Sequence, residues 1–280
     1  MIEIYLLEQL AAFAEFGTLS AAAEHLHITQ PALSRSMQKL EDALGVQLFE
    51  RGKNKISLND TGRLAADYAQ RILQDENDMI RRVKAFDRSC RTLFVGACAP
   101  GPLMEFLPIL SGLYSDMTLS SELKSEEELL RGLENDNYQI IILSKPTGTA
   151  GFYCVPCGSE RLYLSVMPAH PAAGYREIPF SAVNGETFLM VSEVGIWKQI
   201  VTQNMPDSKF ILQDSTESLM ELTNYSTLPS FATDLVRRVR GYSSNRVLIP
   251  FSDGSATVHY YCVCKEANRE KYRRWFDRLR

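Results

Sequence analysis

No apolar run in the 280-residue sequence approaches the roughly 18 residues a membrane-spanning helix needs. Cysteine is sparse, at 6 residues, which excludes a disulfide-stapled scaffold and favours free thiols. Proline and glycine, at 12 and 16, are scattered, which excludes collagen-like and low-complexity chains. Neither sign of charge dominates: 30 Lys and Arg stand against 34 Asp and Glu, so bulk charge cannot argue for a nucleic-acid partner. His25, His27, His170 and His259 show no metal-ligand spacing. A Ser-His-Asp set, paired carboxylates and a glycine-rich phosphate loop are all missing. Met1-Ile2-Glu3 begins no basic-then-apolar leader, so the expectation is a cytoplasmic protein. What remains is ordinary globular composition, 45% hydrophobic and 23% charged, with length for two domains at roughly 150 residues each, or three if one is small.

The first ninety residues read as helical. Leu6, Leu10 and Phe13 make one apolar stripe that Gly17 terminates. Ser20 is the expected cap of a short second helix with Ala22, Ala23 and Leu26 inside. Thr29 caps a third, with Pro31 in its first turn, where the missing N–H is harmless. That helix buries Leu33, Met37, Leu40 and Leu44 and ends at Gly45. Residues 46–49 and 55–58 flank a basic tip and read as a hairpin. Residues 60–89 form one amphipathic segment, about 45 Å long if helical. In it Ala65, Ile72, Met79 and Phe86 recur every seventh position, a stripe suited to a partner helix.

From Arg91 onward strands and helices alternate, the pattern of an α/β domain with a mostly parallel sheet. Strands are expected at 92–96, 117–123, 139–143, 153–155, 162–167, 188–191, 209–212, 247–251 and 258–264. Helices are expected at 103–114, 125–133, 195–203, 216–222 and 267–279, with a short segment near 229–236. Two similar lobes with a cleft between them fit this better than one large sheet.

The strongest constellation is in the helical part. Small residues at Ala22 and Ala23 allow two helices to cross closely, and the turn at 28–30 lets the third present its polar N-terminal face. This is a helix-turn-helix, whose second helix fills a DNA major groove where Gln and Arg read base edges. Gln30, Ser34, Arg35 and Gln38, on the outer face of that helix, are the candidate contacts. Arg51, Lys53 and Lys55 at the hairpin would grip backbone phosphates. On spacing alone, a small helical domain with a solvated polar face remains an alternative.

The run Ser20-Ala21-Ala22-Ala23, Gln30-Pro31-Ala32-Leu33-Ser34, Leu40-Glu41, Leu44-Gly45, Leu48-Phe49-Glu50-Arg51, Leu58 and Gly62 resembles the DNA-binding signature of the LysR-type transcriptional regulators. The resemblance implies an α/β fold class with an N-terminal winged helix-turn-helix (1–59), a linker and dimerisation helix (60–90) and an effector domain (91–280). It further implies two lobes resembling a periplasmic binding protein, lobe one at 91–160 plus 259–280 and lobe two at 161–258. A homodimer or tetramer would bind partly palindromic double-stranded DNA through Thr29, Gln30, Pro31, Ala32, Ser34 and Arg35 of the recognition helix and Arg51 of the wing, answering to a small molecule held between the lobes. Neither catalysis, nor a cofactor or metal, nor a membrane is implied. Asn59 stands where the family usually has Thr, and both can cap. Tyr225-Ser226-Thr227-Leu228-Pro229 replaces the family's Gly-x-Gly before Leu-Pro, which would narrow the pocket and leaves the effector open.

Effector contacts are expected at Ala97, Cys98, Ala99, Pro100, Gly101, Ser125, Ser144, Ser192, Glu193, Thr216 and Tyr225, in loops and helix starts whose N–H groups favour an anionic or mixed-polarity ligand. Ser125 and Thr216 read equally well as plain N-caps. Trp197 could stack on a ligand, though a tryptophan on an amphipathic helix more often packs inward. Cys154-x-x-Cys157 and Cys262-x-Cys264 raise the rival class, a cytosolic α/β enzyme or thiol sensor binding zinc or forming a switch. Residues three apart on a strand face opposite ways, which weighs against it. The basic segment 265–280 reads as a terminal helix with Tyr272, Trp275 and Phe276 packed inward.

Overall fold

The structure, a computed structural model, describes residues 1–51, 56–240 and 245–279, and of Arg51 and Arg240 the backbone alone. The chain forms two compact units, Met1–Lys84 and Ala85–Arg280.

In the first unit α1 (Ile4–Phe16), α2 (Leu19–His25) and α3 (Gln30–Leu44) precede a hairpin of β1 (Phe49–Arg51) and β2 (Ile56–Leu58). Gly17 and Gly45 stop α1 and α3 in the left-handed conformation that glycine adopts without steric cost. The cap of α2 differs from expectation. Thr18, not Ser20, accepts the Ala21 N–H, at 3.2 Å, so Ser20 lies inside the helix. Leu6, Leu10, Phe13, Ala22, Leu33, Leu40 and Leu48 are buried together in one core. The expected hairpin tip, with Lys53 and Lys55, lies outside the described residues. Helix α4 (Asp60–Ser89) follows as one 30-residue element. Leu64, Tyr68, Ile72, Met79, Val83 and Phe86 along it are exposed, Phe86 at 72%.

The second unit holds a nine-stranded sheet. Its first group is β3 (Thr92–Ala97), β4 (Thr118–Leu123) and β5 (Ile140–Leu143), parallel, with α5 (Pro100–Leu113) and α6 (Glu126–Glu134) between them. Its second group is β7 (Thr187–Val191), β8 (Lys209–Gln213) and β9 (Ser230–Thr233), also parallel, with α7 (Ile196–Asn204), α8 (Thr216–Tyr225) and α9 (Asp234–Arg240). Two long strands join the groups: β6 (Phe152–Val166), with β10 (Val247–Pro250) beside it, and β11 (Thr257–Lys265). The early part of β6 pairs with β11, and its last residues pair with β9 and β10. Strand order is β4-β3-β5-β11-β6-β9-β7-β8. The two lobes are therefore one sheet continued through β6 and β11.

Two expectations are corrected here. The strands expected at 153–155 and 162–167 are a single 15-residue strand. Its polar middle, Gly158-Ser159-Glu160-Arg161, reads as a turn by composition, yet pairing with Thr257–Tyr260 keeps it extended. The closing helix expected at 267–279 shrinks to a 3-10 turn and α10 (Arg273–Phe276), because Tyr272, Trp275 and Phe276 are pinned by burial. Among the described residues no helix is long and apolar enough to cross a membrane.

Candidate functional site

The outward surface of α3 is the first site. Pro31, Arg35 and Gln38 are exposed, and Ala32 and Ser34 are half-buried. Thr29 spends its hydroxyl on the Ala32 N–H, 3.4 Å away, which fixes the start of the helix. Gln30 accepts the Ser20 hydroxyl at 3.3 Å, tying α2 to α3 across the turn. The Arg35 Nε donates to the Pro31 carbonyl at 3.3 Å, and Gln38 donates to Asp42 at 3.1 Å. Lys39 is engaged elsewhere: its ammonium donates to Glu3 at 2.6 Å, and this bond raises its pKa while lowering that of Glu3.

Glu41, given no structural role by sequence reading, and Asn59, expected to be able to cap, position this surface. The buried Glu41 carboxylate accepts the backbone N–H groups of Leu48 and Phe49, at 2.7 and 3.2 Å, and so fixes where the hairpin leaves α3. Asn59 caps α4 through the Gly62 N–H at 2.7 Å and donates to the Gln47 carbonyl at 2.9 Å. A Cβ on Gly62 would fall 2.1 Å from the Leu48 carbonyl oxygen, so only glycine fits where α4 begins.

The second site is a cavity of about 160 Å³ where α5 of the first lobe meets the second. Its walls are apolar, with Leu162, Leu189, Val191, Trp197 and Phe231 among them. Glu160 and Glu193 also line it, and no Lys, Arg or His does among the described residues. Glu160, on the joining strand β6, is 1% exposed. Its carboxyl accepts the Trp197 indole N–H at 3.1 Å, the Tyr260 hydroxyl at 2.6 Å and the Thr233 hydroxyl. Burial raises its pKa above the usual carboxylate range, since the desolvation cost exceeds what these donors return. The same carboxyl faces the first turn of α5, where a Cβ on Gly101 would lie 2.5 Å from it.

The start of α7 docks on the other lobe. Gly195, at φ +59°, brings the Ile196 N–H within 2.7 Å of the Cys98 carbonyl, and a Cβ on Gly195 would lie 2.0 Å from that oxygen. Nearby, Arg238 of α9 pairs with Glu105 of α5 at 3.1 Å.

Of the eleven residues expected around an effector, Pro100, Glu193 and Thr216 line this cavity. Ala97, Cys98 and Ala99 are buried backbone supports, and Gly101 faces Glu160. Ser125 is closed into a capping box with Glu128, and the Ser144 N–H is taken by Glu126. Ser192 donates its N–H to the Gln213 carbonyl. Tyr225, expected to narrow the pocket, is 94% exposed and does not line it. Thr216 is not a cap, for Ser215 caps α8. Sequence reading set the lobe boundary at residue 160 but gave Glu160 no place in the cavity, because its neighbours Thr233 and Tyr260 lie far along the chain. It also missed Arg246, which is buried and donates to the carbonyls of Ser165, Thr223, Ser226 and Leu228, holding the loop that follows α8.

All six cysteines are unbridged, and Cys90 is exposed. Burial pushes the Cys98, Cys157 and Cys262 thiols well up, and that of Cys264 to about 12, which disfavours the reactive thiolate. The alternation assumed for the Cys154–Cys157 stretch does not hold: Pro156 pairs with Tyr261 and Gly158 with Tyr260, leaving Cys157 in a bulge. Among the described residues no group of three or more His, Cys, Asp or Glu is placed to hold a metal.

A family model for the bacterial regulatory helix-turn-helix protein, lysR family, matches residues 4–63, and one for the LysR substrate binding domain matches residues 88–280. The chain is 29% identical over 192 residues to a hydrogen peroxide-inducible genes activator of Haemophilus influenzae, and 26% identical over 193 to a RuBisCO operon transcriptional regulator of Allochromatium vinosum. Each match covers 67% of this chain and 64% of the relative, so it spans a little less than two thirds of those proteins. Among solved structures, a full-length OxyR point variant from Pseudomonas aeruginosa superposes with a TM-score of 0.55 at 22% identity, covering all of both chains. Full-length BenM gives 0.52 at 18% identity, over 99% of this chain and 95% of that one. Those two likenesses speak to the fold. With both family models matched in order along its length, the chain belongs to the LysR family of bacterial regulatory helix-turn-helix proteins.

Proposed function

We propose that this protein is a sequence-specific DNA-binding transcriptional regulator whose activity is set by a small molecule bound between the two lobes of its second unit. The observation that carries this reading is the exposed face of α3, Pro31, Arg35 and Gln38, on a helix-turn-helix matched by the family model. A helix of that size enters a major groove, where arginine and glutamine reach base edges. Gln30, Ala32, Ser34 and Thr29 complete the contact surface, with Arg51, Lys53 and Lys55 on backbone phosphates. The working division is 1–59 for DNA binding, 60–90 for the linker, and 91–160 with 259–280 against 161–258 for the lobes. The exposed apolar stripe of α4 supports self-association as a dimer or tetramer through that helix.

We read the chain as cytoplasmic, and as a binding protein, not an enzyme. Its buried thiols, raised in pKa, support that over a thiol-based catalyst. A duplex taken from upstream of its own gene, titrated with the protein in a gel-retardation assay, tests the reading. Retention that favours this duplex over a shuffled one is expected. Equal affinity for both, or none, would defeat it.

A further inference from the structure

The helix N-termini around the interlobe cavity are already supplied from within the chain. The first turn of α5 faces the Glu160 carboxyl, close enough that a Cβ on Gly101 would overlap it. The Ile196 N–H at the start of α7 is held by the Cys98 carbonyl at 2.7 Å. Helix α8 is capped by Ser215, with Glu217 in its first turn. The starts of α5, α7 and α8, where backbone donors and the helix dipole would attract an external anion, thus each have an internal oxygen beside them.

The cavity itself is lined by apolar side chains and two carboxyl groups, with no cation on its described wall. Glu160 is at its buried end and Glu193, exposed, at its open side. Any anion drawn in would lose its hydration and find no cation as its partner, only the acceptor oxygens of Glu160 and Glu193, the costliest arrangement for a buried ion. A cation with an apolar body meets the opposite case: its body is covered by Leu162, Val191, Trp197 and Phe231, and its charge finds carboxylate oxygens. The Trp197 ring adds an aromatic face of the kind that attracts cations.

We propose that the effector of this protein is a small apolar organic amine, bound as the ammonium between Glu160 and Glu193, and that the cavity rejects carboxylates. This rests on the reading of the cavity as the effector site and names the ligand class it takes. The volume, about 160 Å³, suits a compact ring or short chain bearing one amino group.

Two matched probe sets test it, one on a benzene ring and one on a cyclohexane ring, each offered as aminomethyl, hydroxymethyl and carboxylate compounds. Thermal unfolding and titration calorimetry of the full chain at millimolar probe read the outcome. At least one amine is expected to bind and raise the Tm, its alcohol to bind more weakly, and its carboxylate not at all. Glu193→Gln, an exposed change that leaves the core untouched, is expected to weaken amine binding about tenfold, or about 1.4 kcal/mol. Glu160→Gln keeps an acceptor for Trp197 and is expected to weaken it as well. The proposal is overturned if no amine binds, if a carboxylate binds as well as its amine, or if both glutamine variants bind amine like the parent. Operator retention is measured on the same preparation without probe. Operator binding without amine binding sinks this proposal and leaves the regulator reading standing; amine binding without operator binding does the reverse.

Discussion

The indole N–H of Trp197 donates to the Glu160 carboxyl across 3.1 Å, and both side chains are buried. The bond joins α7 of the second lobe to the strand shared by both lobes. Trp197→Phe keeps most of the ring and removes the donor. It is expected to destabilise the second unit by about 1–3 kcal/mol, the range for a buried polar group left without its partner. Urea denaturation at neutral pH reads this directly, and an unchanged midpoint would mean the bond contributes nothing.

Glu160 also sets a pH dependence. Its folded pKa lies above the ordinary value near 4.5 because the carboxyl is buried. A raised folded pKa gives stability that is complete below the unfolded pKa and is lost as pH rises through the folded one. Glu160→Gln, neutral throughout, is expected to remove that decline. Denaturation midpoints across the acidic-to-neutral range, compared for the two proteins, show whether the slope belongs to this residue.

In the first unit, Glu41→Ala leaves the Leu48 and Phe49 N–H groups without their acceptor. The expected cost is on the order of 1–3 kcal/mol for an unsatisfied buried polar group. DNA affinity is expected to fall beyond what lost stability explains, because the hairpin no longer leaves α3 at a fixed angle. Glu41→Gln, which can still accept, is expected to be milder. Equal stability of parent and alanine variant would remove this role from Glu41.

Variants of Arg35 and Lys53 test the proposed division between base reading and phosphate contact. Arg35→Ala is expected to cost about 1–3 kcal/mol on the operator and to relax preference at one base pair. Lys53→Ala is expected to weaken all sequences alike and flatten the salt dependence by about one unit. Binding measured on operator and shuffled duplexes distinguishes them. Identical behaviour of the two variants would show that the recognition face is assigned wrongly.

The thiols give a chemical check on the fold. Cys90 is exposed, whereas Cys98, Cys262 and Cys264 are buried and Cys154 and Cys157 half-covered. A thiol-specific reagent is expected to label Cys90 rapidly in the native protein and the others only on unfolding. Fast native labelling of Cys157 or Cys262 would contradict the bulged packing of β6 on β11.

Local signals carried much of this fold. Gly17 and Gly45 end helices where the sequence says they should, and Leu33, Met37 and Leu40 are buried as their spacing predicts, while Leu44, expected with them, is exposed at the helix end. What was not legible depends on distant partners. Ser20 and Thr18 are both good caps, and only the backbone path into α2 selects Thr18. Gly158–Arg161 has turn composition, yet β11, a hundred residues away, holds it in a strand. Glu160 looks like a surface acid until Trp197, Thr233 and Tyr260 close around it. Helices α6 and α8 start within a residue of where the pattern puts them. Nothing local revealed that Glu160 and the Cys98 carbonyl would occupy the starts of α5 and α7.

Whether the helix-turn-helix acts on DNA is read most directly from affinity for the upstream duplex and a shuffled duplex over a range of salt. Tighter binding to the upstream sequence is expected at every salt concentration, with a log affinity that falls linearly with log salt as lysines and arginines displace counterions. Equal affinity for both duplexes, or binding to neither, would contradict a regulator that reads sequence through α3.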